Sequence, residues 1–165
     1  QKGEEATGET RNVRDEAARI ARGPVLDLKD VDTANYDAVF LPGGFGAAKN
    51  LSDFAVNGSQ GSADPDVSAL LKSFHDAGKP IGAVCIAPAV LALSLGKGKI
   101  TIGTDKSTAD ALESLGASHQ SCPVEKAVVD ADNKLVTAPA YMADAKIHEV
   151  AAGIEEAVKA VLSMC

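Results

Sequence analysis

Cys85 ends an apolar run, Ile81-Gly-Ala-Val-Cys85, and Ile86-Ala-Pro88 follows at once. Such a run reads as a buried strand, and Pro88 suits the first position of a helix. A cysteine between the two stands where α/β hydrolases carry their nucleophile, on a tight strand-to-helix turn. Small neighbours ease that turn: Gly82 lies three residues before Cys85 and Ala87 two after it. The spacing departs from G-x-S-x-G, so the likeness is one of geometry. The positive end of the helix dipole favours a thiolate and predicts a lowered pKa for this thiol. The alternative role is that of a small buried hydrophobe, a common fate of a free cysteine. A second apolar run, over 37–41, ends in Pro42-Gly43-Gly44. These glycines bring backbone N–H groups to a strand end, where Gly44 and Ile86 are candidate donors to an oxyanion formed by attack of Cys85.

Other chemistry-bearing residues carry weaker signals. The stretch from Gly43 to Asn50 is not a P-loop, which needs Gly before its Lys and Ser or Thr after it; here stand Ala48 and Asn50. Nor is it a dinucleotide fingerprint, because Lys49 occupies the last small position. His75 falls in an amphipathic helix and His148-Glu149 in the last helix, where solvated or packing roles are expected. His119 precedes Cys122 in a predicted loop, and His-x-x-Cys alone is too little for a metal site. Tyr141-Met142 reads as loop packing near a sheet edge. Arg11-Asn12 and Arg19 with Arg22 are candidates to bind an anion, but helix-face arginines are usually solvated, and that role is expected here.

The elements that must position Cys85 follow from periodicity. Thr10 is the expected N-cap of a helix over 11–22, closed by Gly23, with Val13, Ala17, Ile20 and Ala21 on one face. Residues 45–64 read as loop. Asp64-Pro65 opens a helix bearing Val67, Leu70, Leu71 and Phe74 and ending at Gly78. After the strand and helix around Cys85, a short strand is expected over 100–104. Ser107 and Asp110 have capping-box spacing for a helix ending near Gly116. The runs 127–130 and 134–137 flank a polar turn and predict a hairpin. A last helix is expected over about 143–163, burying Ile147, Val150, Ile154, Val158 and Val161. Strands alternating with helices predict a doubly wound, mostly parallel sheet with helices on both faces. Chemistry in such sheets collects at the carboxyl ends of strands.

The composition excludes several classes. At 165 residues the chain fits one domain. A net charge of −7 and the lack of any basic block exclude nucleic acid as a partner. The longest uncharged run, residues 80–96, is interrupted by Pro88 and reads as strand and helix, not as a membrane span. Three widely spaced cysteines without a CxxC pair argue against a disulfide framework and structural zinc, and fit a reducing intracellular compartment. With Glu4, Glu5 and Glu9 among the first ten residues, no secretory signal is expected. An α/β domain that opens on a helix, at Gln1, predicts a preceding segment.

Several blocks resemble one family. They are Thr10-Arg-Asn-Val13, Glu16-Ala-Ala-Arg-Ile-Ala-Arg-Gly23, Leu41-Pro-Gly-Gly-Phe-Gly-Ala-Ala-Lys-Asn-Leu51, Gly78-Lys-Pro-Ile-Gly82, Cys85-Ile-Ala-Pro88, Thr101-Ile-Gly-Thr-Asp105 and Thr137-Ala-Pro-Ala-Tyr-Met142. Together they resemble the ElbB-like branch of the class I glutamine-amidotransferase-like superfamily, which also holds Parkinson-associated deglycase-type proteins and PfpI-type proteases. The resemblance implies one such domain over 1–165, lacking its N-terminal strand–helix–strand and so leaving an unfilled slot and an exposed edge in a flavodoxin-like sheet. It implies Cys85 as nucleophile, Gly44 and Ile86 as oxyanion donors, and an acidic partner from the preceding strand. The implied activity is glyoxalase III-like: conversion of small 2-oxoaldehydes to 2-hydroxy acids with no cofactor and no metal. The competing reading is an inactive accessory or redox-sensing subunit. Proteolytic relatives carry His where Ile86 stands, deglycase-like relatives carry His near Gly103, and glutaminase relatives use a late His-x-Glu that His148 does not reproduce. Implied partners are a small aldehyde and a second copy or a larger assembly. The implied location is a mitochondrion or plastid in eukaryotes and the cytoplasm in bacteria.

Overall fold

The structure, a computed structural model, describes residue 8 and residues 10–165. Glu4, Glu5 and Glu9 lie outside them. The strands in chain order are β1 (Val39–Leu41), β2 (Ile81–Val84), β3 (Lys99–Ile100), β4 (Ser118–His119), β5 (Val128–Asp130) and β6 (Leu135–Ala138). The helices are α1 (Val13–Ala21), α2 (Phe45–Lys49), α3 (Phe54–Asn57), α4 (Pro65–Asp76), α5 (Pro88–Leu95), α6 (Lys106–Ser114) and α7 (Ile147–Leu162).

The main sheet runs β1-β2-β6-β5, parallel across the first three strands and antiparallel at the β5–β6 hairpin. All neighbours are hydrogen-bonded, so no unfilled slot lies within it; among the described residues β1 is one edge. A parallel pair, β3 and β4, stands beside it, with β3 against β5 and β6. Two apolar clusters sandwich the sheet. On one face Ile81, Ala83 and Leu135 meet Leu71 and Phe74 of α4, Leu91 of α5 and Leu112 of α6. On the other, Val84, Val136 and Ala138 meet Val150, Ala157 and Val161 of α7. Alternate residues of β2 thus serve opposite layers, which is why the strand reads as continuously apolar. Each large side chain buried this way is worth about 1.5–3 kcal/mol. Gly82 lets α7 come close: a Cβ there would lie 2.2 Å from the Phe40 ring and 2.9 Å from Val161.

Several boundaries differ from expectation, each for a local reason. Asn12, not Thr10, caps α1, its side-chain oxygen accepting from the N–H of Arg14 at 2.9 Å. The apolar stripe of α1 is uncovered among the described residues, with Val13 and Ile20 exposed, because spacing creates a stripe but only a facing surface buries it. Residues 45–64 are not all loop: they contain α2 and α3, each too short to show helical periodicity in sequence. The α6 cap is Asp105, which accepts from the Thr108 N–H at 2.7 Å; Ser107 lies inside the helix and its hydroxyl bonds Asp105. The third strand is only β3, which ends at Ile100; the chain turns at Gly103 (φ 85°), within the span expected to be strand. In α7 Val150 and Val161 are buried as expected, whereas Ile147 and Val158 are exposed, outside the arc that faces the sheet. Among the described residues no helix is long and apolar enough to cross a membrane.

One buried carboxylate ties the β3 side of the molecule to the hairpin. Asp130 accepts from the Lys99 N–H at 2.7 Å and from the Asn133 amide nitrogen at 2.8 Å. Burial pushes its carboxyl up, but these hydrogen bonds outweigh that and hold it below its ordinary value. Its stabilisation is therefore complete above the unfolded carboxylate value of about 3.9 and is lost as pH falls through the lower folded value. Asp130→Ala should cost about 1–3 kcal/mol in urea unfolding at pH 7, because the Lys99 N–H loses its acceptor. The stability gap between wild type and Asp130→Asn should narrow only below about pH 4.

Candidate active site

The carboxyl ends of the three parallel strands meet at one cavity of about 830 Å³. After β1 come Pro42, Gly43 and Gly44; after β2 come Cys85 and Ile86; after β6 come Ala140, Tyr141 and Met142. Phe45 and Ala48 of α2, Phe54 and Ala55 of α3, and Ile154 of α7 complete the lining.

Two non-glycine members of this set have a left-handed backbone, Ala140 (φ 46°) and the candidate nucleophile Cys85. Its φ of 61° is left-handed, a conformation that costs a non-glycine residue about 1–3 kcal/mol and persists only where neighbours over-determine it. Two neighbours do so. The Cys85 N–H donates to the Ala138 carbonyl at 3.1 Å, carrying the β2–β6 ladder one residue further. The Ala87 N–H then donates to the Val84 carbonyl at 3.1 Å, closing a turn around Cys85 that leads into α5. The resulting elbow leaves the thiol half-buried at the cavity. Gly43 packs directly against it: a Cβ on residue 43 would lie 2.6 Å from the Val84 oxygen and 2.8 Å from the Cys85 Cβ. Only glycine fits, since Gly43 also has φ 86°. Among the described residues the N–H groups of Gly44 and Ile86 donate to no protein acceptor. Both residues line the cavity.

His75, His119 and His148 do not line this cavity. His148 is exposed, and the Glu149 carboxylate accepts from the Lys146 N–H at 2.7 Å, capping α7; no Cys–His–Glu set forms. His119 lies on β4, not in a loop, paired with Ile100. Among the described residues no group of three or more His, Cys, Asp or Glu is placed to hold a metal. A histidine at position 103 is sterically barred: a Cβ there would meet the Met142 oxygen at 2.9 Å. Tyr141 and Met142 are cavity residues, although the sequence reading gave them only loop packing. Their signal was available, since they follow the carboxyl end of β6 as Cys85 follows β2. Phe54 was missed too. Its helix is fastened by Asp53, which accepts from the Ser62 N–H and from the Asn57 amide nitrogen at 2.8 Å.

Cys85 and Cys122 differ in surroundings. Burial pushes the Cys122 thiol up, against the partial relief of a hydrogen bond with Thr101. Cys165 is exposed, and all three cysteines are free.

The sequence profile of the DJ-1/PfpI family matches residues 24–149. A human protein, glutamine amidotransferase-like class 1 domain-containing protein 3, mitochondrial, is 45% identical over 172 residues, covering 99% of this chain and 64% of its own. The rat ES1 protein homolog, mitochondrial, is 46% identical over 173 residues, covering 99% and 65%. The chain spans just under two thirds of the length of these relatives. Among solved structures, an isoprenoid biosynthesis protein with an amidotransferase-like domain from Ehrlichia chaffeensis matches with a TM-score of 0.87 and 35% identity, over 98% of this chain and 75% of that one.

Two outcomes are expected from this geometry. Gly43→Ala should destabilise the protein by about 1–3 kcal/mol in thermal or urea unfolding and change the alkylation rate of Cys85, because the β1 turn must retreat from the elbow. In peptide-resolved alkylation with iodoacetamide at pH 7, Cys122 should react slowest of the three cysteines, its rate still rising above the ordinary thiol range of about 8.5.

Proposed function

The chain belongs to the DJ-1/PfpI family, and we propose that within it this protein is an ElbB-like, glyoxalase III-like enzyme with Cys85 as nucleophile. The observation that carries this reading is the left-handed, half-buried Cys85 at a cavity that Gly44 and Ile86 also line, their N–H groups donating to no acceptor among the described residues. Such an arrangement suits attack on a carbonyl whose oxygen becomes anionic.

The reaction balances without an external oxidant. The Cys85 thiolate adds to the aldehyde carbon of a small 2-oxoaldehyde, the carbonyl electron pair moves to oxygen, and the N–H groups of Gly44 and Ile86 hold that oxygen. Protonation gives a hemithioacetal. The hydrogen on C1 then leaves as a proton and a proton is added at C2, through an enediol, so that C1 rises to the thioester level while C2 becomes an alcohol. Water cleaves the thioester, releasing the 2-hydroxy acid and the thiol. In the family resemblance an acidic partner moves the C1 proton; among the described residues lining the cavity no carboxylate or imidazole is present. The mitochondrial relatives support a mitochondrial location for this chain as well.

That uncharged lining favours a second reading, a redox-sensing accessory subunit that keeps the elbow. There two equivalents of peroxide would convert the Cys85 thiolate to sulfinate with release of two waters. Turnover of glyoxal or methylglyoxal by the protein should fall to background in Cys85→Ala with the unfolding midpoint little changed; unchanged turnover ends the enzyme reading. Selective sulfinate on Cys85, sparing Cys122 and Cys165, in a protein that turns over no aldehyde would decide for the sensor.

A further inference from the structure

The cavity also restricts what can enter it, a consequence that rests on the carbonyl-attack reading above. Phe45, Phe54, Met142 and Ile154 supply apolar walls, and Phe45 keeps 53% of its surface exposed beside the thiol. Among the described residues lining the cavity, no side chain is charged, and the polar side-chain atoms are the Cys85 sulfur and the Tyr141 hydroxyl. Lys49 of α2 sits over the Phe45 ring, 5.7 Å from its centroid, and does not line the cavity. A carboxylate or phosphate on the substrate would lose its hydration against these walls and gain no cation in exchange. An apolar substituent gains by leaving water and covering Phe45 and Phe54. At about 830 Å³ the space exceeds what a three-carbon aldehyde fills.

We propose that the site selects an uncharged carbonyl electrophile whose substituent is apolar and of aromatic size. The reactive carbon faces Cys85, its oxygen meets the N–H groups of Gly44 and Ile86, and the substituent lies against Phe45, Phe54 and Met142. The Tyr141 hydroxyl is the side-chain donor open to the second oxygen of a 2-oxoaldehyde. This selectivity differs from that of a site built for the smallest 2-oxoaldehydes.

The test compares neutral probes, so that the net charge of the chain does not enter. The protein is alkylated with iodoacetamide and with N-benzyliodoacetamide, and the Cys85 rate is divided by that of exposed Cys165 in the same chain by peptide mass spectrometry. The ratio should rise on the order of tenfold with the benzyl reagent, and kcat/KM for phenylglyoxal should exceed that for methylglyoxal by a similar factor. Phe45→Ser, at an exposed position that tolerates substitution, should erase much of both differences, and Phe54→Ser should act in the same direction. Selective labelling without turnover of either aldehyde would remove the reaction while leaving the apolar selectivity standing. A labelling ratio that does not change between the two reagents overturns the proposal, whichever aldehyde is turned over.

Discussion

A cysteine with left-handed backbone at the end of a parallel strand is the constraint around which this site is organised. The strain at Cys85 is held by the hydrogen bond from its N–H to Ala138 and by the turn between Val84 and Ala87. Those bonds hold only while β2 stays in register with β6, and that register rests on two apolar layers pressing the sheet from both faces. Core, sheet and elbow are therefore one mechanical unit. Loosening any layer relaxes the conformation that presents the thiol.

The same constraint explains the glycines. Gly43 must come within van der Waals reach of the elbow, so the β1 turn can carry no side chain there. That close approach brings the β1 turn and the β2 turn to a common cavity, where among the described residues the Gly44 and Ile86 N–H groups donate to no acceptor. At Gly103 the Met142 backbone likewise leaves no room for a Cβ, and so none for an imidazole. Among the described residues, the cavity at Cys85 is walled by apolar side chains and backbone, with no charged side chain in its lining.

Much of this was legible in sequence because it follows from local rules. Asp64-Pro65 at a helix start, the apolar run into Cys85, Pro88 opening the next helix and the 127–137 hairpin all took the predicted form. The failures share a cause. The caps of α1 and α6 differ because several polar residues competed for one position, and only side-chain geometry chose Asn12 and Asp105. The short helices α2 and α3 span little more than a turn each, too few residues for a period to register.

The sequence by itself determined the alternation of strand and helix, and with it the carboxyl-edge placement of Cys85, Gly43 and Gly44. Hydrophobic period and glycine or proline punctuation are properties of neighbouring residues, so they can be read without coordinates. Tertiary structure alone decided that Phe54 and Ile154 line one cavity with that thiol and that His119 and His148 do not. These residues lie far apart in the chain, and their meeting depends on strand order and helix packing, which no local pattern encodes.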